Sequence, residues 1–289
     1  MSTMGTPGIC RSQSTPGGPT LGSRPIQRSF GFGLLLALLI LFPFSGSVAR
    51  GQYGAGAVVR SAAGVDAASI QAAVDSFRAD LGGSNNGVGN PATSGRREIN
   101  WDGVPDSVAA PNNLPANFFN ANSPRGVVFS TPGSGFQVSA NAAVGPARFG
   151  NINPAYPDTF TTFSPERLFT ALDSTITDVS FFVSGTDTPA SVSGFGVVFT
   201  NVRLADTTTI EYFDAGGTSL GVFSVPAGAG GGLSFLGVSF PSGTGIGRLR
   251  ITSGNAALSA YANDVGASNL VVMDDFIYGE PVATTAAGS

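Results

Sequence analysis

From Arg96 onward, short runs rich in Val, Ile, Phe and Thr alternate with clusters of Gly, Pro, Asn and Asp. This punctuation narrows the fold more than any other feature, because runs of four to eight such residues between turn signals suit strands and not helices. The clearest unit is "TTIEYFDAGGTSLGVFSVP" at 208–226. Its two alternating runs flank "DAGGT", where glycine supplies the backbone freedom of a tight turn, so the stretch predicts a β-hairpin. Further strands are predicted over 97–101, 126–130, 135–139, 176–183, 192–199, 233–240, 246–252 and 269–278. Helical periodicity between them is nearly absent, which argues against a parallel α/β sheet and for an antiparallel sandwich or barrel. The Pro/Asn-rich segment 102–125 reads as an ordered surface loop.

Upstream of the strands the pattern differs. "DAASIQAAVDSFRADL" (66–81) places Ile70, Val74, Phe77 and Leu81 on one helical stripe, with Asp66 as N-cap and Gly82 as stop. The Gly/Ala-rich residues 52–64 read as a mobile lead, and "GGSNNGVGNPATSG" (82–95) as a flexible linker. Arg24 and Arg28 precede the apolar run "FGFGLLLALLILFPF" (30–44), which is followed by small residues. That order describes a secretory signal peptide over 24–51, cleaved after Ala49 or Gly51. The run is shorter than the roughly 20 residues needed to span a bilayer, and Pro43 interrupts its end. Residues 1–23 read as a disordered extension and 282–289 as a disordered tail. The expected destination is outside the cell, with no membrane attachment after cleavage.

The residue types that are missing restrict the chemistry. All 14 basic residues are arginine, there is no histidine, and Cys10, the one cysteine, precedes the cleavage site. A Ser-His-Asp triad, a histidine-ligated zinc, a Schiff-base lysine and a thiol nucleophile are therefore unavailable. Removing Arg11, Arg24, Arg28 and Arg50 with the signal leaves ten arginines against 18 acidic residues, a net charge of −8. Nucleic acid, which demands a basic face, is not an expected partner. Carboxylates, Tyr, Arg, hydroxyls and backbone groups remain.

Within "LVVMDDFIYGE" (270–280), Asp274 and Asp275 interrupt an otherwise apolar strand. In a regular strand they point to opposite faces, so they are not an acid/base dyad with each other. Arg248 and Arg250, two apart in "GRLRI", share a strand face and are either partners for these aspartates or a solvated row. Arg96 and Arg97 read as a charged boundary. The runs "GAGGGLSF" and "GTGIGR" lead into strands rather than from strand to helix, so they are turns and not phosphate loops. "SGFGVVF" (193–199) places glycines on one strand face, which suits close packing or a bulge.

The succession "REINWDG" (97–103), "FSPERLF" (163–169), "ITDVSFFVSGT" (176–186), "VSGFGVVFTNV" (192–202), "IGRLRITSGN" (246–255) and "VVMDDFIYGEP" (271–281) resembles a family of secreted bacterial proteins of uncharacterised function. More distantly, the later blocks resemble jelly-roll modules of the galactose-binding-like, carbohydrate-binding type. That resemblance implies an all-β, antiparallel jelly-roll β-sandwich over 96–281, with the 66–81 helix as an accessory. It also implies that the first and last strands lie side by side, with a structural calcium where they meet. Asp102, Asp274 and Asp275 are then the metal candidates, with Glu98 nearby; the alternative is that the aspartates accept protein hydrogen bonds without metal. Trp101 and Tyr261 are the ring candidates for a sugar platform, against the plain reading of Trp101 as core.

The expected function is a secreted, non-catalytic module that binds extracellular polysaccharide or matrix, or serves there as a structural component. The alternative is a carboxylate-dependent glycoside hydrolase or polysaccharide lyase. It would draw on Asp102, Asp158, Glu166, Asp187 or Glu211, although no spacing selects a pair.

Overall fold

The computed structural model describes residues 56–228 and 230–284. The N-terminal extension, the signal peptide and residues 285–289 lie outside the described residues. In chain order the elements are β1 (Val58–Gly64), α1 (Ala67–Leu81), β2 (Arg96–Ile99), α2 (Phe118–Ala121), β3 (Val127–Ser130), β4 (Gly135–Val138), α3 (Tyr156–Thr159), β5 (Phe169–Leu172), β6 (Ile176–Phe181), β7 (Ala190–Ser191), β8 (Gly194–Thr200), β9 (Thr209–Asp214), β10 (Ser219–Ser224), β11 (Leu233–Ser239), β12 (Ile246–Thr252), β13 (Val272–Gly279) and β14 (Val282–Ala283).

Two antiparallel sheets carry the molecule. The larger runs β1-β11-β8-β13-β5-β4, with β2 also paired to β13; the smaller runs β10-β9-β12-β6-β3. β9 and β10 form the hairpin that the 208–226 alternation predicts, with Gly217 at φ 86° in its turn. Strand alternation builds the layer between the sheets. In β6, Thr177, Val179 and Phe181 are buried, whereas Ile176, Asp178 and Ser180 on the other face are only half-buried. The shared core includes Phe129, Phe169, Phe195, Phe276, Tyr212 and Tyr278. Each such large side chain contributes roughly 1.5–3 kcal/mol on leaving water.

The outer faces of the two sheets differ. On the larger sheet, Ile70, Val74 and Phe77 of α1 pack on Val198, Leu233, Phe235 and Ile277. Asp66 caps the helix by accepting from the Ser69 amide at 2.9 Å. Glycine makes the seat: a Cβ on Gly237 or Gly196 would stand 2.7 or 2.8 Å from the Phe77 ring. A second outer cluster joins Phe149, Tyr156, Phe160, Leu168, Leu258, Leu270 and Val272. The smaller sheet instead turns polar side chains outward, with Arg250 bridged to Asp178 at 2.8 Å.

Five expectations change. Residues 58–64 are not a mobile lead but an edge strand in full register with β11. Their Ala/Ser composition hides the alternation, and backbone pairing supplies the order instead. The 82–95 segment is not a free linker, because it wraps Arg97, whose guanidinium donates to the carbonyls of Gly87 (3.0 Å) and Asn90 (2.8 Å). Arg97 itself is buried and bonded through two nitrogens to Glu280, at 2.7 and 2.8 Å, rather than marking a charged boundary. The 102–125 segment is more than surface loop, since Val104, Leu114, Phe118 and Phe119 enter the core. At the C-terminus, Val282 and Ala283 pair with β7 instead of joining the disordered tail.

Candidate functional site

Register decides where the two aspartates go. β13 pairs Met273 with Phe199 and Phe276 with Val197, so Asp274 and Asp275 together oppose the one intervening residue of β8. This is a β-bulge, and it breaks the strict alternation of faces. Val271 and Met273 before it, and Phe276 and Tyr278 after it, all reach the inter-sheet core. Both carboxyl groups leave on the outer face instead. The expectation of opposite faces is therefore corrected, because it assumed an unbroken period of two.

On that face both carboxyls meet one strap of chain. Asp274 accepts from the Phe163 amide at 2.6 Å and faces the Ser164 hydroxyl at 3.2 Å. The same hydroxyl donates to Asp275 at 2.7 Å. Exposure is 0% for Asp274 and 4% for Asp275. Burial, then the charge of Asp275 and a hydrogen bond shared with it, push Asp274 well above the usual aspartate range. Burial also raises Asp275, against the hydrogen bonds from Ser164 and Asp274 and the positive charge of Arg78. Ionising both carboxyls is therefore disfavoured relative to two exposed aspartates. Arg78 of α1 is not free to neutralise it fully, since it is bonded to Glu98 at 2.8 Å. Against the upward push of burial, hydrogen bonds from Arg78 and Arg96 hold Glu98 below its ordinary value.

Trp101 belongs to the core and not to a sugar platform. Its exposure is 1%, and it stacks on Phe169 with ring centres 4.1 Å apart and planes within 3°. It meets Phe276 edge-on at 5.0 Å, and its indole N–H donates to the Asp274 carbonyl at 2.7 Å. The residue holds a left-handed φ of 67°, which turns it inward at the end of β2. Tyr261 is the opposite case, 92% exposed on the 259–264 loop. Nothing joins it to Trp101 in one site.

Asp102 holds the same strap further along, accepting from the Arg167 amide at 3.1 Å, and burial raises it from its ordinary value. It does not complete a cage with Asp274 and Asp275. Among the described residues no three acidic, His or Cys side chains converge to hold a metal ion. β2 does lie beside β13, and this brings Glu98 opposite Ile277. Arg248 and Arg250 stand on the other sheet and do not meet the aspartates. Arg250 pairs with Asp178, and Arg248 lies 3.5 Å above the Phe213 ring. Ser164 carries both carboxyls yet was legible only as part of "FSPERLF", where a serine before proline gave no sign of its partners.

Open concave surface lies away from the aspartate pair, in a groove. Three cavities of about 520, 460 and 370 Å³ adjoin one another along one edge of the sandwich. The first two share Ser191 and the Gly243–Thr244–Gly245 loop, and the last two share Asp214 and Thr284. Glu280 lines the first cavity and Arg248 the third. The walls combine hydroxyls, carboxylates and side-chain-free glycines, with a stacked Arg–Phe pair at one end. Gly243–Gly245 form a turn that leads into β12, as the sequence predicts, but the meeting of separate turns has no local signature.

No family model matches this chain, and no curated protein is detectably similar to it.

Proposed function

We propose that this is a secreted, non-catalytic jelly-roll module whose edge groove binds a neutral, extended extracellular polysaccharide. Strand order supports the topology: β5-β13-β8-β11 faces β6-β12-β9-β10, and the chain crosses between sheets as two Greek keys would require. The basic, apolar and small-residue order at 24–51 supports secretion.

The observation that carries the ligand class is the groove lining. The Asp214 carboxylate accepts from sugar hydroxyls, Arg248 donates to them, and the glycine walls let a chain lie close. A net acidic protein repels polyanions, which favours a neutral polymer. The hydrolase alternative lacks comparable support, because the strongly shifted carboxyls, Asp274 and Asp275, are sealed under the strap.

Affinity electrophoresis and a glycan panel test this reading, using the chain from residue 52 onward. Binding to at least one neutral polysaccharide is expected, with about a tenfold loss in Thr244→Trp, which fills the groove, and in Arg248→Ala. Clean negatives across neutral and acidic glycans, or binding unaffected by both substitutions, would refute it and point to a structural role.

A further inference from the structure

The edges of the two main sheets are treated unequally. An edge strand leaves the N–H and C=O of alternate residues without a strand partner, and folded proteins block such edges with chain, bulges or charge. Three of the four edges are blocked here. At β4, the Ala110 and Leu114 amides donate to the carbonyls of Val138 (2.7 Å) and Phe136 (2.8 Å). At β3, the Phe129 amide donates to the Ala116 carbonyl at 2.9 Å. The β10 edge is broken by a bulge between Ser219 and Gly221.

β1 has none of these devices. It runs seven residues against β11 without a register shift, and among the described residues nothing else bonds to its backbone. It contains no proline, and its one charge, Arg60, is taken by Asp80 at 2.7 Å. Val58 and Val59 at its start, and Val65 just beyond its end, are exposed.

This edge is complementary to itself. About a two-fold axis at Ser61, antiparallel pairing sets Val59 opposite Ala63 of the second copy, with Val65 of that copy as its diagonal neighbour on the same face. The exposed valines at both ends are covered together, and Arg60 stands opposite Ala62 of the second copy instead of a like charge. Each molecule has one open edge, so pairing closes at two and does not continue into a fibre.

We infer that β1 is a self-association edge, which joins two copies of this chain into a two-fold dimer with one continuous sheet. The inference does not depend on what the groove binds.

Sedimentation velocity on the chain from residue 52 onward tests it, at physiological salt so that the acidic net charge is screened. The wild type should dimerise at micromolar concentration. Ser61→Lys, which sets two cations face to face on the axis, should be a monomer that still unfolds cooperatively; Val222→Lys, on the bulged β10 edge, should still dimerise. The chain beyond Cys10 has no cysteine, so Ser61→Cys gives a second readout. Air oxidation should link this variant by a disulfide across the axis faster than it links Val222→Cys. A wild type that stays monomeric at high micromolar concentration, leaving the edge to a strand of another protein, overturns the dimer. So does a dimer that survives Ser61→Lys, or a Ser61→Cys variant that links no faster than Val222→Cys.

Discussion

Asp274→Asn is the sharpest test of the buried carboxyl pair. Asparagine has nearly the same shape, so its side-chain oxygen can accept from the Phe163 amide while its NH₂ donates to Asp275. What it lacks is the titrating proton. In the wild type both carboxyls sit above the ordinary aspartate value of 3.8, chiefly through burial. The folded state therefore binds a proton that the unfolded chain gives up. The stability so conferred is fully present below about pH 4 and is lost as pH rises through the elevated value of the pair. One proton held only in the folded state gives a slope of about 1.4 kcal/mol per pH unit. For a domain of this size that corresponds to about 3–5 °C in melting temperature per pH unit.

The assay is the melting temperature of wild type and variant in parallel from pH 4 to 9. Taking the difference removes the other titrating groups. These include Glu98 and Glu280, whose values are depressed against the upward push of burial by their arginine bonds. Their stabilisation runs the other way, present above the usual carboxylate range and lost as pH falls. The variant should gain on the wild type steadily as pH rises, then level off once the wild-type pair is ionised. A difference that stays constant across the range would refute the raised values, and one that shrinks with pH would reverse the sign of the shift.

Two further substitutions probe the frame around the pair. Trp101→Phe keeps most of the stacking on Phe169 but leaves the Asp274 carbonyl without its indole donor; a loss of about 1–3 kcal/mol is expected in urea unfolding. Glu280→Gln leaves the Arg97 guanidinium buried and unpaired, which should cost about 3–5 kcal/mol and show as a lowered urea midpoint with little change in slope.

How legible these features were depended on whether they were local. The β9–β10 hairpin was written in adjacent residues, with an apolar alternation on either side of a glycine turn. The buried face of α1 was similarly plain, since Ile70, Val74 and Phe77 follow a helical stripe. β1 was not, because Ser61, Ala62 and Ala63 show no contrast in polarity and the strand is defined by its pairing with β11. Arg97 looked like a surface charge because its partner Glu280 stands 183 positions away. Trp101 beside Asp102 suggested a site, and only the packing against Phe169 and Phe276 shows the ring to be core.

The aspartate pair shows why sequence period alone misplaced a site. Two apolar faces either side of "DD" cannot both be satisfied by an unbroken strand, since one carboxyl would enter the inter-sheet core. Inserting one residue into the register resolves the conflict: the core keeps Met273 and Phe276, and both acids leave together. Desolvation remains, because the strap and α1 close over that face. It is met by the Phe163 amide and the Ser164 hydroxyl. The bulge thus exchanges one charged intruder in the core for an acid pair under a strap, and places the pair where it holds chain and does not meet ligand. The uncovered polar surface lies instead along the edge groove, between loops of glycine, serine and threonine.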